Sequence, residues 1–169
     1  MRQNTLGRLL ASAAVVVMFV AACAAPNDTP LAPTLDKDQG ALNGLAVCDP
    51  VARESVSRKI GKAGGVVSTS AARITIPEGA LSEDVEVSLT QLGDRSNTIE
   101  VAPGLQAEAG IKVEISYRNC EKSPTGTHRI VAVDESNNVV GNEESFDDPE
   151  NRTVNTITTT LHSRYAVAW

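Results

Sequence analysis

Ser163 directly follows His162, and a serine next to an imidazole is the smallest set of groups that can attack a carbonyl with general-base help. His128 is the other histidine, 34 residues upstream. With Asp134 and one of several serines, either imidazole completes a Ser/His/Asp set on paper. Nothing resembling Gly-x-Ser-x-Gly marks a nucleophile, and neither a P-loop nor a GxGxxG is present, so hydrolase and nucleotide readings lack a motif. The run Glu143-Glu144-Ser145-Phe146-Asp147-Asp148-Pro149-Glu150 is rich in oxygen ligands but lacks EF-hand spacing. It reads as a solvated acidic loop over 143–150 with Phe146 packing down as its anchor. No CxxC or Cys/His spacing points to zinc, and no cofactor is expected.

Three cysteines remain, each in a different context. Arg2 and Arg8 flank a polar start, Leu9 to Ala25 is apolar apart from Ser12, and Pro26, Asn27 and Asp28 close the run. A basic opening, a short apolar stretch and small residues at its end describe an export signal rather than a membrane span. Val20-Ala21-Ala22-Cys23 resembles a bacterial lipobox, in which the cysteine becomes the first mature residue and carries the lipid. This gives a signal peptide over 1–22, lipidation at Cys23 and an anchored protein; an ordinary cleaved signal with a stray cysteine is the plainer alternative. Ala24 after the cysteine favours the outer membrane in a Gram-negative host, by analogy with known lipoproteins. In an exported chain Cys48 and Cys120 form an even pair and favour a disulfide, against the alternative of two unrelated buried thiols.

Charge narrows the partners. The chain of 169 residues has 15 Lys+Arg and 21 Asp+Glu, a net charge of −6. Removing 1–22 takes away Arg2 and Arg8 and no acid, leaving 147 residues with a charge of −8. Such a surface repels nucleic acid and anionic lipid at long range, so the lipid must supply the membrane attachment.

The elements that must position these groups read as strands. Residues 23–59 form the lipidated cysteine and tether: Pro26, Pro30 and Pro33 punctuate 24–46, and 50–59 suggests a short helical turn. From Ile60 the period becomes 2. Ala72, Ile74 and Ile76 alternate with Arg73 and Thr75; Val85, Val87 and Leu89 with Glu86 and Ser88; Ile111, Val113, Ile115 and Tyr117 with Lys112, Glu114 and Ser116. Further strands are expected at 65–69, 98–102, 129–134, 138–141, 153–161 and 164–169, with turns at Gly64-Gly65, Pro77-Glu78-Gly79, Pro103-Gly104, Pro124-Thr125-Gly126 and Asn137-Asn138. From Cys23 onward, 23 Val+Ile stand against 9 Leu, which favours sheet over helix. The expected fold is all-β, an antiparallel β-sandwich over 60–169.

Two segments carry a family resemblance. Ile60-Gly61-Lys62-Ala63-Gly64-Gly65-Val66-Val67 leads into Arg73-Ile74-Thr75-Ile76-Pro77-Glu78-Gly79-Ala80-Leu81, which resembles the opening of ZU5 domains. Leu161-His162-Ser163-Arg164-Tyr165-Ala166-Val167 is similar to that family's closing strand, usually His-Phe-Ser-x-Tyr-Ala-Val. On physical grounds Ile76, Pro77, Gly79, Ala80 and Leu81 are fold punctuation: the proline ends the strand, the glycine permits a turn and Ala80-Leu81 tucks back onto the core.

The resemblance implies a non-catalytic module for protein binding or structural support, here facing an unidentified envelope partner. Some ZU5-containing proteins cut themselves at the serine of the His-Phe-Ser segment. Here the histidine is displaced by one position and residue 161 is leucine, so Ser163 and His162 keep only the outline of that site. Neighbouring side chains on a strand face opposite ways, which disfavours self-cleavage.

Overall fold

The computed structural model describes residues 44–124 and 126–169. Cys23, the segment 1–22 and the tether up to residue 43 lie outside the described residues. Among the described residues eleven strands follow in chain order: Glu54–Ile60 (β1), Gly65–Ser68 (β2), Ala72–Ile76 (β3), Val85–Gln91 (β4), Ile99–Ala102 (β5), Leu105–Ser116 (β6), Arg129–Val133 (β7), Val139–Asn142 (β8), Ser145–Asp148 (β9), Thr153–Leu161 (β10) and Arg164–Ala168 (β11). They make two antiparallel sheets, one ordered β1-β4-β5-β11-β7-β8 and the other β2-β3-β6-β10-β9. The sheets pack face to face as a β-sandwich.

Sequence alternation sets which residues meet between the sheets. Ile74 and Ile76 on β3, Val87 and Leu89 on β4, and Ile111, Val113 and Ile115 on β6 all enter one core. Their alternate neighbours face water, as expected of strands with one apolar face. β7 and β11 are different. Ile130, Ala132, Tyr165 and Val167 join the main core, while Val131, Val133, Ala166 and Ala168 are buried with Leu45 in a second cluster. Burial of both parities explains why these strands read as unbroken apolar runs.

Leu45 belongs to the sandwich, so the tether expected over 23–59 does not extend through its last part. Leu45, Ala46, Val47 and Cys48 are all buried. β5 pairs with β11 only at Arg164 and Tyr165, and the segment beginning at Leu45 continues that edge. Ala46 N donates to Val167 O at 2.8 Å and Trp169 N to Gly44 O at 3.2 Å. Without this segment, buried β11 backbone groups would lose their partners. Residues 50–59 also differ from the expected helical turn, because most of them enter β1, which pairs with β4 from Glu54↔Gln91 to Ile60↔Val85.

The middle of the acidic run, Ser145–Asp148, is likewise a strand rather than part of a solvated loop. β9 pairs with β10 at the sheet edge, through Asn155↔Phe146 and Val154↔Asp147. Phe146 does not anchor it: its side chain lies on the outer face and is 70% exposed. Strand parity decides this, since Asp147 takes the inward-facing position between Phe146 and Asp148.

Candidate functional site

The turn between β10 and β11 carries the serine and histidine. Ser163 is exposed, and its carbonyl accepts from Val101 N at 2.9 Å, which pins the turn to β5. The His162 imidazole points elsewhere, with Nε2 at 3.3 Å from Glu143 Oε1. Among the described residues no hydrogen bond joins His162 to the Ser163 hydroxyl. Tyr165 organises the turn from below: its Oη accepts from His162 N at 2.8 Å and donates to Thr160 O at 3.3 Å. A tyrosine hydroxyl tied back to the backbone a few residues upstream is the arrangement of a tyrosine corner, a packing device of β-sandwiches. Burial, with a smaller contribution from the Glu143 charge, pushes the Tyr165 hydroxyl up to about 12.

Cys48 and Cys120 are joined in a disulfide and face each other in an isolated antiparallel bridge. Both are nearly inaccessible. Cys48 N donates to Arg95 O at 2.6 Å and Glu121 N to Val47 O at 2.8 Å, so the cross-link lies within a backbone-paired junction.

The glycine-containing segments meet in space. Gly64 has φ +71°, and a Cβ there would run into the Ile76 carbonyl oxygen and the backbone of Pro77 and Glu78. Gly79, at φ +77°, faces open space, and its N–H donates to Lys62 O at 2.8 Å. Gly65 opens β2 against the Ile60 side chain. Ile76, Ala80 and Leu81 are buried in the main core, and Ala80 O accepts from Glu108 N at 3.0 Å. The motif therefore buckles the β2–β3 hairpin to β6 and exposes no reactive group.

A polar cluster that the sequence did not signal lies at the end of β6. Tyr117 Oη donates to Asp147 Oδ1 at 2.6 Å, and His128 N donates to Asp147 Oδ2 at 2.8 Å. The His128 ring stacks on Tyr117 with centroids 3.8 Å apart. The Arg152 guanidinium lies 5.8 Å from the Tyr117 ring centre and donates to Tyr117 O and Cys120 O at 3.2 and 2.9 Å. Burial lowers the His128 imidazole below its ordinary value, the Asp147 charge opposing it. Burial and then the Asp147 hydrogen bond raise Tyr117 well above the usual tyrosine range. The hydroxyl proton is thus held on Tyr117, and the carboxylate is engaged by donors from β6 and the start of β7. Asp148 is similarly occupied, accepting from Asn151 N and Nδ2 at 3.1 and 2.8 Å.

These contacts tie two carboxylates of the acidic run to the protein. No group of three or more His, Cys, Asp or Glu residues is placed to hold a metal ion among the described residues. No helix among them is long and apolar enough to cross a membrane. Comparison of the chain with protein-family models finds no match, and comparison with curated proteins finds none either.

Proposed function

We propose that the chain is an exported bacterial lipoprotein, lipidated at Cys23, that presents a ZU5-like β-sandwich as a non-catalytic interaction or structural module of the cell envelope. The lipobox-like Val20-Ala21-Ala22-Cys23 supports anchoring, and a disulfide fits an oxidising compartment. The engagement of His162 with Glu143 supports a non-catalytic reading of the Ser163 turn. The anchor would attach the domain to the cell or outer membrane, the outer membrane being favoured in a Gram-negative host by Ala24.

The observation carrying the interaction reading is the exposed pair Phe146 and Ile157, 70% and 69% accessible. Phe146 pairs with Asn155, so Ile157 is its diagonal neighbour on the same outer face. Gly110 lies beneath Ile157, its missing Cβ leaving room for the side chain. Glu144, Asp148 and Glu150 lie close to Phe146 in sequence, and Lys112, opposite Ile157 on β6, is ion-paired with Glu114 at 2.8 Å, which suits an envelope protein offering an apolar contact with a basic rim.

Two experiments test the reading. Cys23→Ala should move the protein from membrane to soluble fractions, and continued membrane retention would overturn the anchor. A photo-crosslinking residue at Phe146, in the anchored protein in its own cells, should give one discrete envelope-protein adduct that Ile157→Asp abolishes. Adducts insensitive to Ile157→Asp would refute this face as the interface. Intact-mass measurement should find no Ser163-dependent cut; a product ending near His162 that disappears in Ser163→Ala would establish self-cleavage instead.

A further inference from the structure

Val131, Val133, Ala166 and Ala168 point away from the main core, because Ile130, Ala132, Tyr165 and Val167 take the inward positions on β7 and β11. With Leu45 they nevertheless form a cluster in which no residue is more than 4% exposed. Every described strand belongs to one of the two packed sheets, and the second sheet lies on the opposite side of β7 and β11. No described strand therefore roofs this outer row. Of the residues beside it, Arg129 and Asn142 are themselves exposed, and Arg164 turns aside to Glu100 and to the Asp134 and Glu135 carbonyls.

A bare row of Val and Ala on the outside of a sheet would be wetted, and removing it from water is favourable. The described residues begin at Gly44, directly beside the cluster: Leu45 faces Ala168 across a bridge, and Trp169 N donates to Gly44 O at 3.2 Å. Gly44 has φ +71°, which bends the chain as it reaches Leu45. The residues before it, Leu35-Asp36-Lys37-Asp38-Gln39-Gly40-Ala41-Leu42-Asn43, have a leucine near either end. Fully extended they reach up to about 30 Å, whereas the row from Ala168 to Arg164 runs only about 13 Å. Asp36 and Asp38 also supply anions for Arg129, which has no carboxylate within 4.0 Å among the described residues.

We propose that residues 35–43 fold back over the outer side of β7 and β11, with Leu35, Ala41 and Leu42 covering Val131, Val133, Ala166 and Ala168. The cluster is inaccessible in a single chain, which favours a cover from that chain over a second copy or another protein. The end of the expected tether is then a strap that belongs to the domain. It shields an apolar row whose exposure would invite association. Under the anchoring reading above, only residues 24–34 remain to span from lipid to domain, roughly 17–20 Å in place of 22–27 Å for residues 24–43. The strap itself depends neither on the lipid nor on the Phe146 face.

The test is crosslinking of the purified chain with a photo-reactive residue in place of Arg129, which is exposed and stands at the rim of the row. Chains labelled with ¹⁴N and ¹⁵N are mixed before irradiation, and adducts are mapped by mass spectrometry. Adducts to residues 35–43 that carry a single isotope are expected. Mixed-isotope adducts would place a second copy on the row, and adducts confined to other segments would leave it uncovered by 35–43; either overturns the strap. The same single-isotope adducts are expected from Cys23→Ala, which keeps this result separate from the test of the anchor. Leu35→Asp combined with Leu42→Asp should lower the melting midpoint by about 4 °C or more and raise the fluorescence of an apolar dye. An unchanged midpoint without dye binding would also overturn the strap.

Discussion

Tyr117 Oη donates to Asp147 Oδ1 at 2.6 Å, joining the end of β6 to edge strand β9. The acceptor is a carboxylate and the donor ring is buried, so this contact belongs to the stronger class of side-chain hydrogen bonds. Tyr117→Phe should lower unfolding free energy by about 1.5–3 kcal/mol, read from urea denaturation. Loss of under half a kcal/mol would mean that Asp147 is satisfied without the hydroxyl.

His128 adds a pH signature. Its imidazole is lowered from 6.5 in the fold, chiefly by burial, so the unfolded chain binds the proton more readily. Stability from this group is complete above 6.5 and declines as pH falls through 6.5 toward the depressed folded value. The carboxylates Asp134 and Asp148, lowered from 3.8 mainly by Asn138 and Asn151, act in a separate, more acidic window. His128→Phe should therefore flatten the stability profile just below 6.5 and leave the acid-most limb intact. An unchanged profile there would assign that limb to other groups.

The Tyr117 cluster shows where sequence reading runs out. Tyr117 was legible as the last inward residue of the row Ile111, Val113 and Ile115, but its partner Asp147 lies 30 residues away on a strand made of Ser, Phe and two Asp. β1 and β9 escaped the reading for the same reason: both are edge strands, held by one neighbour's backbone, with little apolar alternation. The core strands were legible because their side chains had to alternate. Phe146 was misread because an aromatic in a polar run suggests an anchor, whereas pairing parity turned it outward. The cleft beside the Cys48–Cys120 junction left no local trace, since its lining residues come from three separated chain segments.

Leu45 separates a tether from a strand by a simple measurement. It is 1% exposed and packs with Val131, Val133, Ala166 and Ala168. Leu45→Ala should destabilise the domain by about 2–5 kcal/mol, as for other buried leucines. In a flexible tether the same change would have no effect on the melting transition, and that result would return residues 44–49 to the linker.

The disulfide restricts the unfolded chain across a sequence separation of 72 residues. Replacing both Cys48 and Cys120 by Ala, or unfolding under reductant, should cost about 2–4 kcal/mol. Equal urea midpoints with and without reductant, with thiol labelling confirming reduction, would show that the hydrogen-bonded junction holds without the cross-link.

Gly64 and Gly79 share a left-handed conformation but differ in what surrounds them. Gly79→Ala meets open space, so it should cost only the backbone term of about 1–2 kcal/mol. Asn there should recover part of it, since asparagine enters that region more easily. Gly64→Ala must in addition displace the Ile76 carbonyl and the chain at Pro77, and should cost more than Gly79→Ala in the same denaturation assay. Similar costs would mean that the β2–β3 hairpin moves freely away from the Pro77 turn.

Tyr165 predicts the opposite pH limb. Burial raises its hydroxyl from 10.0 to about 12, so the folded chain keeps the proton after the unfolded chain has begun to lose it. The resulting stability is complete below 10.0 and is lost as pH rises toward about 12. Tyr165→Phe should make the alkaline decline shallower, with Tyr117, raised by its own burial, retaining the remainder. The same change removes the acceptor for His162 N, so at neutral pH it should cost about 1–3 kcal/mol and loosen the Ser163 turn. Faster amide exchange at His162 and Ser163, with β3 and β6 unaffected, would place the effect at this turn. Uniformly faster exchange would show that Tyr165 supports the whole sandwich and not the turn in particular.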